Sequence, residues 1–280
     1  RLRTVTGVQT CALPISAGSL VATSLNYAEP AHTATLSLPG GLPAAATYTV
    51  RVRGGSSGVK DLASNALASD FISTFTTAGP PVIGATALGH YGDASSNDAT
   101  TTAMTTAAQT NLVVYVAGEG GNPGYPVITD TYHNVWTPRG VQPTSSWPGF
   151  LWVFTSFNAI GGPGHTITAS KPDGYPTIAA VEVRGTNVAL AGSALGTDNT
   201  APFVTGPLTV SSDALLLGAF APGFPESLVT FSQGTGFARL AEEDEGDGFW
   251  VLSVEGRPVA PGTYTADWGL TGAAVFDPDY

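Results

Sequence analysis

Thr47-Tyr48-Thr49-Val50-Arg51-Val52-Arg53 alternates with period two. Tyr48, Val50 and Val52 fall on one side of an extended chain, and the Thr and Arg side chains fall on the other. That is the pattern of a strand with one buried face. Ala34, Leu36 and Leu38 repeat the period upstream, and Phe71 to Thr76 closes the set downstream. Between them, Gly54-Gly-Ser56-Ser-Gly58 reads as a loop. It also fits Gly-x-Ser-x-Gly, but a nucleophile elbow needs a strand-to-helix turn. Here β segments stand on both sides, so no nucleophile is expected.

The composition carries the same reading to the whole chain. Only 11% of the 280 residues are charged, with 36 Thr, 35 Gly, 21 Pro and two Lys. Surface helices draw on Lys, Glu, Arg and Ala, so this chemistry disfavours long helices. The 12 Phe, 9 Tyr and 5 Trp argue against disorder. No apolar run approaches the ~18–20 residues of a membrane helix; the richest, 214–220, is strand-sized. The expected class is all-β, with no membrane insertion.

Thr76-Thr77-Ala78-Gly79-Pro80-Pro81 divides the chain. A joint of this composition is a stiff, exposed linker. Residues 1–78 hold five basic and three acidic residues, a net of +2; residues 79–280 hold five basic and eighteen acidic, a net of −13. After the joint, short strands are expected at 82–91, 99–104, 112–117, 127–137, 150–157, 165–169, 177–184, 208–211, 214–220, 249–254, 263–268 and 273–276. Gly, Pro, Asn and Asp punctuate most gaps. So many short strands imply two packed antiparallel sheets, a sandwich or jelly roll. Strands apolar on both faces, such as 214–220, are expected to be central and covered on both sides.

Three stretches resemble known sequences. Residues 17–78 resemble the bacterial Ig-like domains found in tandem in surface-layer and secreted proteins, on Ala46-Thr-Tyr-Thr-Val50, Gly58-Val-Lys-Asp-Leu-Ala-Ser-Asn-Ala-Leu67 and Ser73-Thr-Phe-Thr-Thr77. An Ig-like sandwich takes about 100 residues and seven strands. The shorter stretch therefore implies a partial sandwich with its first strands cut away, leaving sheet edges unpaired. Residues 79–280 resemble a jelly-roll module appended to Ig-like repeats in large extracellular bacterial proteins. The likeness rests on Asn111-Leu-Val-Val-Tyr-Val116, Asp130-Thr-Tyr-His-Asn-Val-Trp-Thr137, Gly164-His-Thr-Ile-Thr168, Ile178-Ala-Ala-Val-Glu-Val-Arg-Gly185 and Pro261-Gly-Thr-Tyr-Thr265. Residues 5–16, which hold the single cysteine Cys11, resemble the in-frame translation of a sequencing adapter. Residues 1–16 are accordingly expected to stand outside the fold. The rest of the chain has no Cys, which fits an exported bacterial protein without disulfides.

Several side chains are candidates for chemistry. Glu182 and Glu119 are the carboxylates an acid/base mechanism on polysaccharide would use, but glycoside hydrolysis needs two of them about 5–10 Å apart. No compact Glu-x-Asp-x-Glu pattern is present, and Glu182 reads as a partner of Arg184. Asp130-x-x-x-Asn134 reads as a turn whose side chains bond their own backbone, with His133 exposed at its tip. His165 is expected at the surface or half-buried. His32, His90, His133 and His165 lack zinc or copper spacing. Glu242, Glu243, Asp244, Glu245 and Asp247 form a solvated acidic loop or a Ca²⁺ site, the hard-oxygen ligands suiting that ion. Trp147, Tyr125 and Tyr175 sit in loops beside Pro or Gly and are the candidates to stack on sugar rings; Trp152, Trp250 and Trp268 read as core.

The net −13 after the joint excludes nucleic acid as a partner. The expected function is non-catalytic: an extracellular or cell-surface adhesion or carbohydrate-binding module on an Ig-like stalk, taking a polysaccharide or surface glycan. The alternatives are a polysaccharide-active enzyme on a lectin-like sandwich and a purely structural wall protein.

Overall fold

A computed structural model describes residues 12–16, 19–20, 24–28, 33–38, 42, 45–61, 63–91, 97–119, 124–143, 149–171, 174–185, 187–196, 202–221, 229–244 and 251–272. Among them there is no helix, and so none long and apolar enough to cross a membrane. The chain divides into two compact units, Arg1–Gly79 and Pro80–Tyr280.

The first unit contains β1 (Ala12–Ser16), β2 (Ser19–Leu20), β3 (Ser24–Ala28), β4 (Thr33–Ser37), β5 (Thr47–Val52) and β6 (Phe71–Thr76). Four of them form the antiparallel sheet β2-β1-β5-β6, and β3 pairs with β4. Tyr48 is buried and its ring stacks on Phe75 at 5.6 Å, directly across from it in register. The alternation of the 47–53 stretch thus sets which side of the sheet is apolar. The Gly54–Gly58 segment is a turn, with Gly55 at φ 72°; Asp70 pairs with Arg51 and accepts the Gly54 N–H at 2.8 Å, tying loop to strand. One expectation is corrected: Ala12–Ser16 is not outside the fold but pairs with β5 from Ala12↔Val52 to Ile15↔Thr49. Without β1, the backbone of β5 would have a neighbour on one side only.

The second unit contains β7 (Val82–His90), β8 (Asp98–Thr100), β9 (Gln109–Glu119), β10 (Val127–Asp130), β11 (Thr137–Pro143), β12 (Gly149–Ile160), β13 (Ile167–Ser170) and β14 (Thr177–Arg184). It continues with β15 (Phe203–Val204), β16 (Leu208–Val210), β17 (Ala214–Phe220), β18 (Val229–Ser232), β19 (Ala238–Asp244), β20 (Val251–Val259), β21 (Gly262–Tyr264) and β22 (Asp267–Gly272). Its centre is the antiparallel five-stranded sheet β11-β12-β9-β14-β7.

Both faces of that sheet are covered. On one, Leu112, Val114, Val116, Trp152, Phe154 and Ile178 pack with Ala99, Ile167 and Ala169 of the sheet β10-β13-β8. On the other, Tyr115, Ala117, Ala179, Val181 and Val183 pack with Leu252, Val254 and Ala241 of the sheet β17-β20-β19. The outer side of β17-β20-β19 meets a further layer built on β22, which pairs with β15 and β18. There Phe203, Phe220, Phe231 and Trp268 form one aromatic cluster, with ring centroids 4.7 to 5.6 Å apart. The second unit is therefore more than two stacked sheets. The strand buried on both faces is β14, every position of which is buried from Thr177 to Val183; β17, expected in that place, is half-buried except at Gly218.

The expected strand 127–137 is two strands around a turn. Thr137–Pro143 is a strand despite Pro138, Gly140 and Pro143. It lies at the edge of the central sheet, where missing N–H donors cost nothing.

Candidate functional site

Three groups of side chains are candidates for function, and each is set by strand register. The first is centred on Glu182. Its side chain is fully buried, and every part of it is engaged. Oε1 accepts from the Ala107 N–H at 2.6 Å and the Thr110 hydroxyl at 2.9 Å; Oε2 accepts from the Ala85 N–H at 2.8 Å and the Arg184 Nε at 2.9 Å. Gly84 makes the room, since a Cβ there would overlap the carboxylate. Burial by itself raises the pKa of such a group; the Ala107, Ala85, Arg184 and Thr110 donors outweigh it and hold the carboxyl below its ordinary value. A carboxylate with both oxygens occupied and its proton gone has nothing left to give or take in acid/base chemistry. Glu182 is a structural tie between the ends of β7, β9 and β14. Glu119 ends β9, opposite Gly149.

The second group joins the Asp130 turn to His165. Asp130 Oδ1 accepts from the Tyr132 N–H at 2.8 Å, and Oδ2 accepts from the Asn134 N–H at 3.2 Å and the Trp136 Nε1 at 2.8 Å. His133, at φ 58°, is exposed at the tip. His165 is not at the surface: it is fully buried, because its side chain points under the turn rather than away from it. Its Nε2 lies 3.5 Å from Asp130 Oδ1, its Nδ1 lies 3.0 Å from the Thr106 hydroxyl, and Tyr132 meets its ring edge-on at 4.9 Å. Burial lowers the pKa of His165, against the pull of the Asp130 and Glu182 charges. Thr106, His165 and Asp130 line up as a hydroxyl, an imidazole and a carboxylate. All three are buried, and the Thr106 hydroxyl is held by the Gly162 N–H at 3.0 Å. The row is closed to solvent and pins three loops together.

The third group is aromatic. Tyr91 follows β7 and Tyr175 precedes β14, and the register His90↔Thr177 brings the two ends together. The Tyr91 N–H donates to the Pro176 carbonyl at 3.1 Å. The two rings lie 5.0 Å apart at 49°, both half-exposed. Gly118, beside them, is 3.5 Å from the Tyr175 carbonyl and 3.6 Å from the Trp152 ring, measured from a Cβ placed there. Trp152 is buried with Lys171 Nζ 5.6 Å from its ring. Tyr125 is exposed and sits edge-on to Phe154 at 5.8 Å, in its own contact rather than in the Tyr91–Tyr175 pair. Trp147 and Trp250 lie outside the described residues; Trp268 is buried, as a core residue should be.

Sequence alone singled out Tyr175 but not Tyr91, because the partners stand 84 positions apart and only the β7–β14 register reveals them. Of the acidic run, Glu242 pairs with Arg239, while Glu243 and Asp244 belong to the backbone of β19. Glu245 and Asp247 lie outside the described residues. Among the described residues no three His, Cys, Asp or Glu side chains gather as metal ligands do.

Residues 2–77 match the family model of the bacterial Ig-like domain. The matched span takes in β1 and segment 5–16, and it ends beside the boundary of the first unit. Domains of this family occur in bacterial surface proteins. No curated protein and no solved structure matches the chain.

Proposed function

We propose that the chain is part of a bacterial surface or secreted protein and acts without catalysis, its Ig-like unit carrying a second β unit that binds a polysaccharide or cell-surface glycan. The observation that supports this reading is the half-exposed Tyr91–Tyr175 pair at one end of the central sheet. Flat rings with polar tips suit shallow binding of a ligand that is apolar on its faces and hydroxylated at its edges. Both rings stand at the ends of strands of the central sheet, and side chains held by a rigid scaffold in this way commonly carry binding. The strong negative charge of the second unit disfavours phosphate-rich ligands and leaves neutral sugars as the better fit. Glu182, the carboxylate best placed by sequence for an enzyme, is consumed by its hydrogen bonds.

The test is a glycan array with the full chain, comparing wild type with Tyr175→Ala, Tyr91→Ala and Trp147→Ala. Loss of either pair member is expected to weaken binding at least tenfold, about 1.4 kcal/mol. A chain that binds no glycan, or whose binding both Tyr variants leave unchanged, would refute the proposal.

A further inference from the structure

The aromatic core between β17-β20-β19 and β15-β22-β18 encloses a carboxyl group far from the ordinary environment of one. Glu255, on β20, is fully buried. Its Oε2 accepts from the Gly234 N–H at 2.9 Å; its Oε1 has no hydrogen-bond partner among the described residues. Gly218 stands opposite it in register and leaves space for the Trp268 ring, whose carbons would be 2.9 and 3.0 Å from a Cβ there. The Trp268 Nε1 is also buried and has no partner among the described residues.

Among the described residues no cation compensates Glu255. Arg239 of β19 is its register partner, but that guanidinium is held by Glu242 and the Phe231 carbonyl. Arg257, two residues along β20, bonds the Thr235 carbonyl and lies 5.5 Å from the Tyr264 ring and 6.0 Å from the Phe237 ring. The charged group that β22 brings is Asp267, of the same sign as Glu255. Gly234 stands between the two carboxyls: it donates to Glu255, and a Cβ on it would lie 3.0 Å from Asp267 Oδ1. From β17 the neighbours on this side are Leu216, Gly218 and Phe220, and from β15 Phe203, none of which titrates.

We propose that Glu255 is a pH-sensitive latch between these layers: protonated, it lets the aromatic core close; ionised, it sets an uncompensated charge beside Asp267 and loosens β15-β22-β18 from β17-β20-β19. Burial, followed by the Asp267 charge and opposed by the Gly234 N–H, pushes the group up to about 7. A carboxyl raised above its unfolded value stabilises fully below that unfolded value and loses the contribution as pH rises through the folded one. The latch therefore opens across the neutral range.

The test is hydrogen exchange of the full chain, corrected for intrinsic rate, at about pH 5.5 and about pH 8, read at 229–232 and 267–272. One pKa unit is worth tenfold in the opening equilibrium. Protection in wild type is expected to fall about tenfold or more at the higher pH, and Glu255→Gln is expected to hold it constant. Equal protection of wild type at both pH values, or a Glu255→Gln variant that keeps the wild-type pH dependence, would overturn the latch. If that variant does not fold, a ¹³C-carboxyl titration of the wild-type protein decides. A Glu255 midpoint near 7 supports the latch, and one in the ordinary carboxylate range removes it.

Discussion

Glu182 shows how much one side chain can hold. Its two oxygens take donors from Ala85, Ala107, Thr110 and Arg184; the carboxylate is closed to solvent, while the Arg184 side chain is half-exposed. Glu182→Ala leaves those donors, two of them backbone N–H groups, without an acceptor. Arg184, half-exposed, is then solvated; the three other donors, unpaired at about 1–3 kcal/mol each, together cost about 3–5 kcal/mol. Urea denaturation is expected to show a loss of that size, and a loss under about 1 kcal/mol would mean that water replaces the carboxylate. Glu182→Gln is expected to fall between, since its amide nitrogen meets donors where an oxygen accepted. The pKa of Glu182 is held below its ordinary value. Its contribution is present above the unfolded carboxylate range and disappears as pH falls through the lower folded value. Sequence reveals half of this site. The spacing of Glu182 and Arg184 on one strand announces their pairing. Ala85, Ala107 and Thr110 stand 97, 75 and 72 positions away; two of them donate through backbone N–H groups that carry no residue signature at all.

At the scale of elements, the turn that follows β10 decides whether β10 and β11 point where they do. Asp130 gathers the N–H groups of Tyr132 and Asn134 and the indole of Trp136, with the His165 imidazole 3.5 Å away. Asn134 then carries the tie onward: its Nδ2 donates to the Ile160 carbonyl at 2.9 Å, and its Oδ1 accepts the Ile160 N–H at 2.7 Å. Asp130→Ala removes the centre of the network while leaving the β10–β13 ladder in place. The expected result is a loss of about 2–4 kcal/mol, with amide exchange faster in 131–136 and 161–167 and unchanged in β14. Uniformly faster exchange would mean that the turn is not a separable unit. The turn itself was legible, because Asp and Asn four apart seldom serve a strand. The strand after it was not, because Pro138, Gly140 and Pro143 carry the signature of a loop. An edge position cancels that signature, and whether a strand lies at an edge is a property of the sheet, not of the segment. The burial of His165 departs from expectation for a related reason: Gly-Pro-Gly before it signals exposure, yet Gly162 leaves room for the Tyr132 ring and the preceding Gly161 for the Thr106 hydroxyl, which bury it.

Across the whole molecule, fold class followed from composition, while the number of layers did not. Alternating strands show that one face is buried; they do not show how many sheets stack. The run Thr177 to Val183 signals burial on both faces only once β14 is known to be central. The same layering puts titratable groups of opposite tendency in different cores. His165, between β10-β13-β8 and the central sheet, has a lowered pKa, so its contribution is full at high pH and declines as pH falls through the unfolded value near 6.5. Glu255, in the outer aromatic core, does the reverse, losing its contribution as pH rises to about 7. Between about pH 5 and 7 the two oppose each other, and the melting temperature of wild type is expected to be nearly flat there. His165→Gln uncovers the Glu255 fall, and Glu255→Gln uncovers the His165 rise. Surface repulsion from a net charge of −11 adds its own dependence on pH. Salt separates the two sources, because exposed charges are screened at about 1 M and buried ones far less. The opposite slopes of the two variants are therefore expected to survive high salt while the melting temperature of all three proteins rises together. Slopes that vanish in salt would assign the pH dependence to the acidic surface and leave both buried groups silent.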